Sequence, residues 1–489
     1  MGSVYARSTG NLIHLSDNQA MGTRIVRLLD KIDIELRGST RDYKSWRTMI
    51  YNKNGSLAYS NSDYQDDIDR EAVQFLISIP WFSQARRLWI VQEARLSPSN
   101  MCHLGTECFP LAPLLRIITW LVSRSQLNRL SSPISTRGRD CVLVLADLAD
   151  TEQGWWRYFS PSLANLIMLT RPFEKSEPRD GIYALLGISQ ASQRGTDEIE
   201  PDYRKSVEEI ERETTRYMIR QRRDLWALRD VSHPTQGPSG CSWTIRVGGD
   251  PQTSGRPLVP SMLDFEAFGD HQDAWGWGPH YKHPNTIELC GLRLDQVVEA
   301  SEICHRSDLQ HSDALQSWMV IAATDLGLTK VRNVDGRLVL TEDDVLSLSC
   351  AMMAEEAKSG DKATAEDIDL GVWAMNAMLD DDHLASDPDG SRKTVRKATA
   401  EASKHCKWDA LIDRRLFKMQ SGACGLGPSA MRAGDIVTAL RGSPWPAILR
   451  PYNEDYQFIG LAYARGLMYG ETISALRAAG VEEQWFVVH

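Results

Sequence analysis

The 489-residue sequence has no CxxC pair, no apolar run near the roughly 18 residues of a membrane-spanning helix, and no excess of basic charge. Each absence removes a class of function. Nine cysteines are scattered from Cys102 to Cys424. An odd count without metal-ligand spacing argues against a zinc ribbon or a dithiol redox site, and for free thiols in a reducing compartment. The opening residues, MGSVYARSTGN, contain no apolar core of a secretory signal. The formal net charge of -10 disfavours sequence-independent nucleic-acid binding, which needs a basic surface. These absences predict a cytoplasmic protein with neither a membrane nor a nucleic acid as its partner. No internal repeat is present.

What remains is an ordinary globular composition, 42% hydrophobic and 25% charged. Such a chain can bury a large core, and its length suits about two to four domains. Fifteen tryptophans are spread along it.

Residues 11–15 (NLIHL) read as a short strand. Helical spacing predicts helices over 18–34, 66–79, 81–96, 110–125, 141–150 and 162–170. In the helix over 81–96, Trp89 and Glu93 stand four residues apart and are therefore neighbours. Residues 179–189 predict a short helix ending at Gly187, and 201–228 a long one with Ser206 and Glu209 at capping-box spacing. Residues 285–300 alternate like two strands around Gly291. Further helices are expected near 310–326, 342–358, 364–380 and 394–417, followed by strands over 434–468.

Three groups could carry chemistry on residue type alone. His271, Asp273, His280 and His283 fall within HQDAWGWGPHYKH, where His and Asp are suitable metal ligands; the glycines and proline there equally suit a plain loop. Cys-His neighbours occur at 102–103, 304–305 and 405–406, but adjacent residues on a strand face opposite ways. GACGLGP, residues 422–428, has the glycines of a phosphate loop without its Lys-Ser/Thr, and reads as a turn.

Five stretches in order resemble the fungal heterokaryon-incompatibility (HET) family. They are VYARSTGNLIHLSD at the start, PWFSQARRLWIVQEARL (80–96), PRDGIYALLGI (178–188), IEPDYRKSVEEI (199–210), and a C-terminal group formed by GLGPSAMRAGDIV, PAILRP and FIGLAYARGLMYGE. The chain starts about where the second half of that family's domain begins, and Gly181 stands where the family usually has lysine. The resemblance implies a TIR-like, Rossmann-type α/β remnant over residues 1–190. A mixed α+β region over 200–489 would pack on it.

The resemblance also implies intracellular self/non-self recognition or cell-death signalling, with self-association or other HET-pathway proteins as partners. Many TIR-like domains hydrolyse NAD with a glutamate in a W-x-x-x-E pattern, and WIVQE (89–93) has that spacing. On this reading Glu93 is the catalytic carboxylate, stabilising oxocarbenium character at the ribose, and NAD is a substrate rather than a bound cofactor. Trp89, Phe82, Arg86, Arg179 and Tyr183 would contact the small-molecule or nucleotide ligand. Alternatively Glu93 caps or ion-pairs internally, for instance with Arg86 or Arg179. A different function is also open: a HET-like scaffold recruited as a small-molecule biosynthetic enzyme with an aromatic pocket.

Overall fold

The computed structural model describes residues 4, 6–39, 69–81, 86–123, 141–142, 144–146, 148, 162–189, 199–238, 240–247, 265–268, 279–328, 330–332, 338–355, 362–379, 388–406 and 408–489. The chain divides into two compact units, Met1–Val207 and Glu208–His489. The helix expected over 141–150 lies only partly within the described residues.

The first unit contains β1 (Asn11–Ser16), α1 (Gln19–Ser39), α2 (Arg70–Ser78), α3 (Trp89–Leu96), β2 (Asn100–Leu104), β3 (Glu107–Pro110), α4 (Leu111–Ser123), α5 (Leu163–Leu169) and α6 (Asp180–Leu186). β1 pairs parallel to β2, from Asn11 against Asn100 to His14 against His103, and β2 pairs antiparallel to β3. Parallel neighbours require a crossover, and α1 to α3 supply it. Gly105, at φ +59°, makes the tight turn from β2 to β3 and donates its N–H to Ser16 O at 2.7 Å. A Cβ there would stand 2.5 Å from Gln19 Cα, so only glycine fits.

The core of this unit comes from helical faces. Ile25, Leu28 and Leu29 of α1, Val73, Leu76 and Ile77 of α2, and Leu114, Leu115, Ile117 and Ile118 of α4 are all buried. Each such side chain contributes about 1.5–3 kcal/mol of burial. α2 is capped by Asp69, whose side chain accepts Ala72 N–H at 3.0 Å.

One difference from the sequence reading bears on the site. The helix expected to run from 81 to 96 is interrupted: Trp81 is helical, but residues 86–88 are not, and α3 begins at Trp89. Ahead of it, Arg86 O accepts Glu174 N–H at 2.5 Å and Leu88 N–H donates to Glu174 O at 2.9 Å. A strand-like bridge to Glu174 therefore takes the backbone groups that a longer helix would use.

The second unit opens with α7 (Val207–Arg222) and continues through β4 (Ile287–Ala300), α8 (Ser312–Asp325), the ribbon β5 (Val331–Arg332) and β6 (Leu338–Val339), and helices α9 (Glu342–Met353), α10 (Ala365–Leu379) and α11 (Pro388–His405). Then follow β7 (Arg414–Met419), β8 (Cys424–Pro428), β9 (Ile436–Leu440), β10 (Ala447–Tyr452), β11 (Asp455–Leu461), β12 (Tyr463–Ala464), α12 (Glu471–Ala478) and β13 (Gln484–Val488).

The strands form one eight-stranded sheet, ordered β12-β8-β7-β4-β13-β11-β10-β9, and an additional pairing of β4 with β9 closes it. β4 makes the closure possible because it is one 14-residue strand, not the two expected around Gly291. Its start pairs with β13, its middle with β9 and its end with β7. At Gly291 the β9 backbone comes so close that a Cβ would collide with Ala439 O. The glycine thus marks a close approach within a strand rather than a break between strands.

Val297, Phe417, Met419, Val437, Ile448 and Ile459 fill the interior of this sheet. Three helices are shorter than expected, among them α9, which ends at Met353 before the left-handed Ala354. α7 starts six residues after Pro201 and ends before Arg223, which is left-handed at φ +58°. The helix expected over 394–417 stops at His405, and its last residues instead start β7. No helix among the described residues is long and apolar enough to cross a membrane.

Candidate functional site

The sequence-nominated residues of the first unit meet where α3 and α6 approach each other. Asp180 is the first residue of α6, where the helix dipole favours an anion. Its two carboxylate oxygens accept from different elements: Trp89 Nε1–H donates to Oδ2 at 3.2 Å and the Tyr203 hydroxyl donates to Oδ1 at 2.6 Å. Partial burial, reinforced by the neighbouring Asp180 carboxylate, pushes the Tyr203 phenol well above its ordinary range. Tyr203 therefore remains a donor at any physiological pH.

Around this pair the remaining groups satisfy one another. The Tyr183 hydroxyl donates to Asp202 O at 3.0 Å and accepts Asp202 N–H at 3.1 Å. The rings of Tyr183 and Tyr203 meet edge to face, 5.1 Å between centroids. Arg179 donates Nε–H to Glu177 at 2.7 Å and Nη1–H to the Tyr203 and Lys205 carbonyls, with its guanidinium over the Tyr203 ring. That bond to Arg179 holds the Glu177 carboxyl below its ordinary range. Likewise Arg204 brings Asp202 down to about 2.

These bonds explain why α7 starts late. The 201–206 segment is held as a turn, with Arg204 N–H on Asp202 Oδ1 at 2.9 Å. Among the sequence-nominated residues, Trp89, Arg179 and Tyr183 do come together. The carboxylate bonded to Trp89 is Asp180. Arg86 ion-pairs with Glu174 at 3.3 Å. Phe82 lies outside the described residues.

Glu93 is half-buried on α3, and its main-chain oxygen accepts Asn11 Nδ2–H at 2.7 Å. Asn11 also donates to Asn100 Oδ1 at 2.9 Å, and Asn100 donates to Ala94 O at 2.8 Å. The two asparagines thereby add donors to carbonyls in the last turn of α3, where Glu93 O also accepts the Ser97 N–H at 3.3 Å. Asp180, Asp202 and Tyr203 were missed as site residues, although each stands in a stretch quoted for the resemblance, PRDGIYALLGI or IEPDYRKSVEEI.

Chemically the cluster is a clasp. Both oxygens of its central carboxylate hold a protein donor, and its tyrosines and arginine are engaged in cross-links between loops. Asp180→Ala, which strands two donors, is expected to lower the stability of the Met1–Val207 unit by about 1–3 kcal/mol. Urea denaturation followed by tryptophan fluorescence would measure it, and Asp180→Asn should recover part of the loss.

The proposed metal group lies in the second unit. His271 and Asp273 fall outside the described residues. His280 stacks on Trp485 at 4.3 Å, and its Nδ1 lies 3.5 Å from Glu288, which also pairs with Lys282 at 2.8 Å. His283 is exposed, and its carbonyl accepts from Arg216. Among the described residues, no three His, Cys, Asp or Glu side chains are grouped to hold a metal.

All nine cysteines are free, and eight of them are buried. Burial pushes the Cys102 thiol up to about 12 and Cys304 higher still, the opposite of an activated nucleophile. In the Cys-His pair at 405–406, both side chains engage Asp367, His405 on the carboxylate at 3.2 Å and Cys406 on the main-chain oxygen at 3.7 Å. GACGLGP forms β8 and the turn before it, not a ligand loop.

Comparison with known proteins bears on the second unit. No curated protein and no solved structure matches the chain. Residues 355–487, which include every strand of the closed sheet except β4 and all but the last residue of β13, match the family model of the Het-6 beta-barrel domain, a HET-associated domain that points to a HET-related family.

Proposed function

We propose that this chain works in fungal heterokaryon incompatibility as a HET-related recognition protein, with the barrel unit as its recognition element and cell death as its downstream outcome. The observation that carries this reading is the match of residues 355–487 to the Het-6 beta-barrel domain. The ordered HET-like stretches of the first unit support it as well. In this reading the Trp89–Asp180–Tyr203 clasp is scaffold and the W-x-x-x-E spacing serves packing, because the Trp89 indole bonds to Asp180.

TIR-like NAD hydrolysis at Glu93 is the competing chemistry. One experiment separates them: express the chain and its Glu93→Gln variant in a fungal host, scoring cell death and cellular NAD together. The expected result is growth arrest with NAD unchanged, equal for both chains. NAD loss with nicotinamide release, abolished by Glu93→Gln, would replace the recognition reading with the hydrolase. Absence of any growth phenotype in paired incompatible and compatible strains would remove the incompatibility role itself.

A further inference from the structure

The barrel unit contains a cleft of about 230 Å³ into which three arginines converge, Arg415, Arg432 and Arg450, together with Thr235, Gln236 and Glu299. The arginines are held differently. Arg450, on β10, is buried. Its Nε and Nη2 donate to Asp435 at 2.8 and 2.9 Å, and Nη2 also donates to Ala430 O at 2.7 Å. Its Nη1 finds no acceptor among the described residues. Above that nitrogen the chain passes as Gly237, at φ +106°, where a Cβ would come within 3.3 Å of Nη1.

Arg415, on β7, is fixed by the Ser429 and Ser301 carbonyls, both at 2.8 Å, which leaves Nη2 over. The Arg432 side chain is exposed and forms no bond among the described residues. Glu299 is also exposed and pairs with none of the three. Asp435 neutralises Arg450, so Arg415 and Arg432 stand against Glu299 and the cleft keeps a positive balance.

Two of these guanidiniums are already immobilised by main-chain and carboxylate acceptors, so a ligand would order little on arrival. Their unused N–H groups, with the Thr235 hydroxyl and the Gln236 amide, offer several donors, those of the guanidiniums charged, to one anion. Donors supplied by separate elements, β7, the turn after β8, β10 and residues 235–236, suit the several oxygens of a phosphate better than the two of a carboxylate. The cleft holds roughly seven or eight waters' volume, room for a phosphate and a few further atoms. Glu299 adds an acceptor for a cationic or hydroxyl group on the same ligand.

We propose that this cleft is a binding site for a small phosphate monoester. The inference is independent of the incompatibility reading and stands on the cleft alone. Isothermal titration of the full chain with inorganic phosphate and with phosphoethanolamine, at constant ionic strength with chloride as the control, tests it. The expected result is one site per chain, with phosphoethanolamine the tighter ligand.

Arg432→Gln should weaken both ligands about tenfold, the scale of one charge-assisted contact, without moving the unfolding temperature. Adding Arg415→Gln should weaken them further. Glu299→Gln should remove the advantage of phosphoethanolamine and tighten inorganic phosphate about threefold. No saturable heat with either probe up to millimolar concentration would overturn the proposal. So would unchanged affinity in Arg432→Gln, or an equal response to chloride.

Discussion

Replacing Arg450 by alanine is expected to lower the stability of the Glu208–His489 unit by about 3–5 kcal/mol, the usual cost of orphaning a buried charge. The reason is Asp435, almost wholly inaccessible between β8 and β9. Its two oxygens receive a forked pair of bonds from Arg450 and the Arg432 main-chain N–H at 2.9 Å. Without the guanidinium, a carboxylate is left in a medium that cannot solvate it.

The same argument gives a second arm. Removing both charges with Arg450→Met and Asp435→Leu eliminates the desolvation penalty along with the attraction, so the double variant should recover most of the loss. Urea midpoints of the parent, Arg450→Met, Asp435→Leu and the double variant complete the cycle. A single Arg450 variant within about 1 kcal/mol of the parent would mean that the pair is solvated in solution.

The second large effect is a pH dependence centred on His233. This imidazole is 2% exposed, and burial together with the nearby Arg246 charge brings its pKa from 6.5 down to about 4. Its Nε2–H donates to Ser242 O at 2.9 Å, so the folded ring is neutral with its proton on that nitrogen. Ser242 in turn ties the chain end to β11: its N–H donates to the His489 main-chain oxygen at 2.7 Å, and its hydroxyl donates to the same oxygen while accepting Phe458 N–H at 2.8 Å.

Because the folded pKa lies below the unfolded one, the unfolded chain takes up a proton first as pH falls. The contribution of neutral His233 is complete above pH 6.5 and is lost progressively down to about pH 4. The total is about 3 kcal/mol. Carboxylates such as Asp202, already held down to about 2, act mainly below this window. His233→Asn should therefore flatten the stability curve between pH 4 and 6.5 while leaving its acid limb. Chemical denaturation at half-unit pH steps would show the slope disappear. An unchanged slope would place the effect on other groups.

Sequence periodicity revealed most helices of both units because their apolar faces repeat locally. Ile25, Leu28 and Leu29 on α1 and Leu114, Leu115 and Ile118 on α4 are examples. It failed where a distant backbone decides the outcome. Nothing near Arg86 announces that Glu174 will take its carbonyl and delay α3 to Trp89. Gly291 looked like a break because a glycine in an alternating run usually is one, whereas the close approach of Ala439 is set by β9 far along the chain.

The site was legible in the same uneven way. Trp89, Arg179 and Tyr183, which the structure brings together, stand in the motifs that carry the resemblance. The W-x-x-x-E spacing points to Glu93, four residues from Trp89, whereas the bond from Trp89 to Asp180 spans 91 residues and leaves no local signature. The anion cleft had no local signature at all. Its arginines come from β7, the turn after β8, and β10, and only closure of the sheet brings them to one place.

That closure also dictates an order of events in time. β4 is made long before β9 and β13, the two strands that flank it in the finished ring, and β13 is the last strand of all. During synthesis β4 must wait with both hydrogen-bonding edges unpaired while the four helices α8 to α11 are produced. Non-local pairings of this kind fold slowly and expose strand edges meanwhile. Late pairing of β9 and β13 with β4 is therefore the expected slow step in completing the ring, and a fragment limited to residues 355–487 would lack the strand that both of them flank.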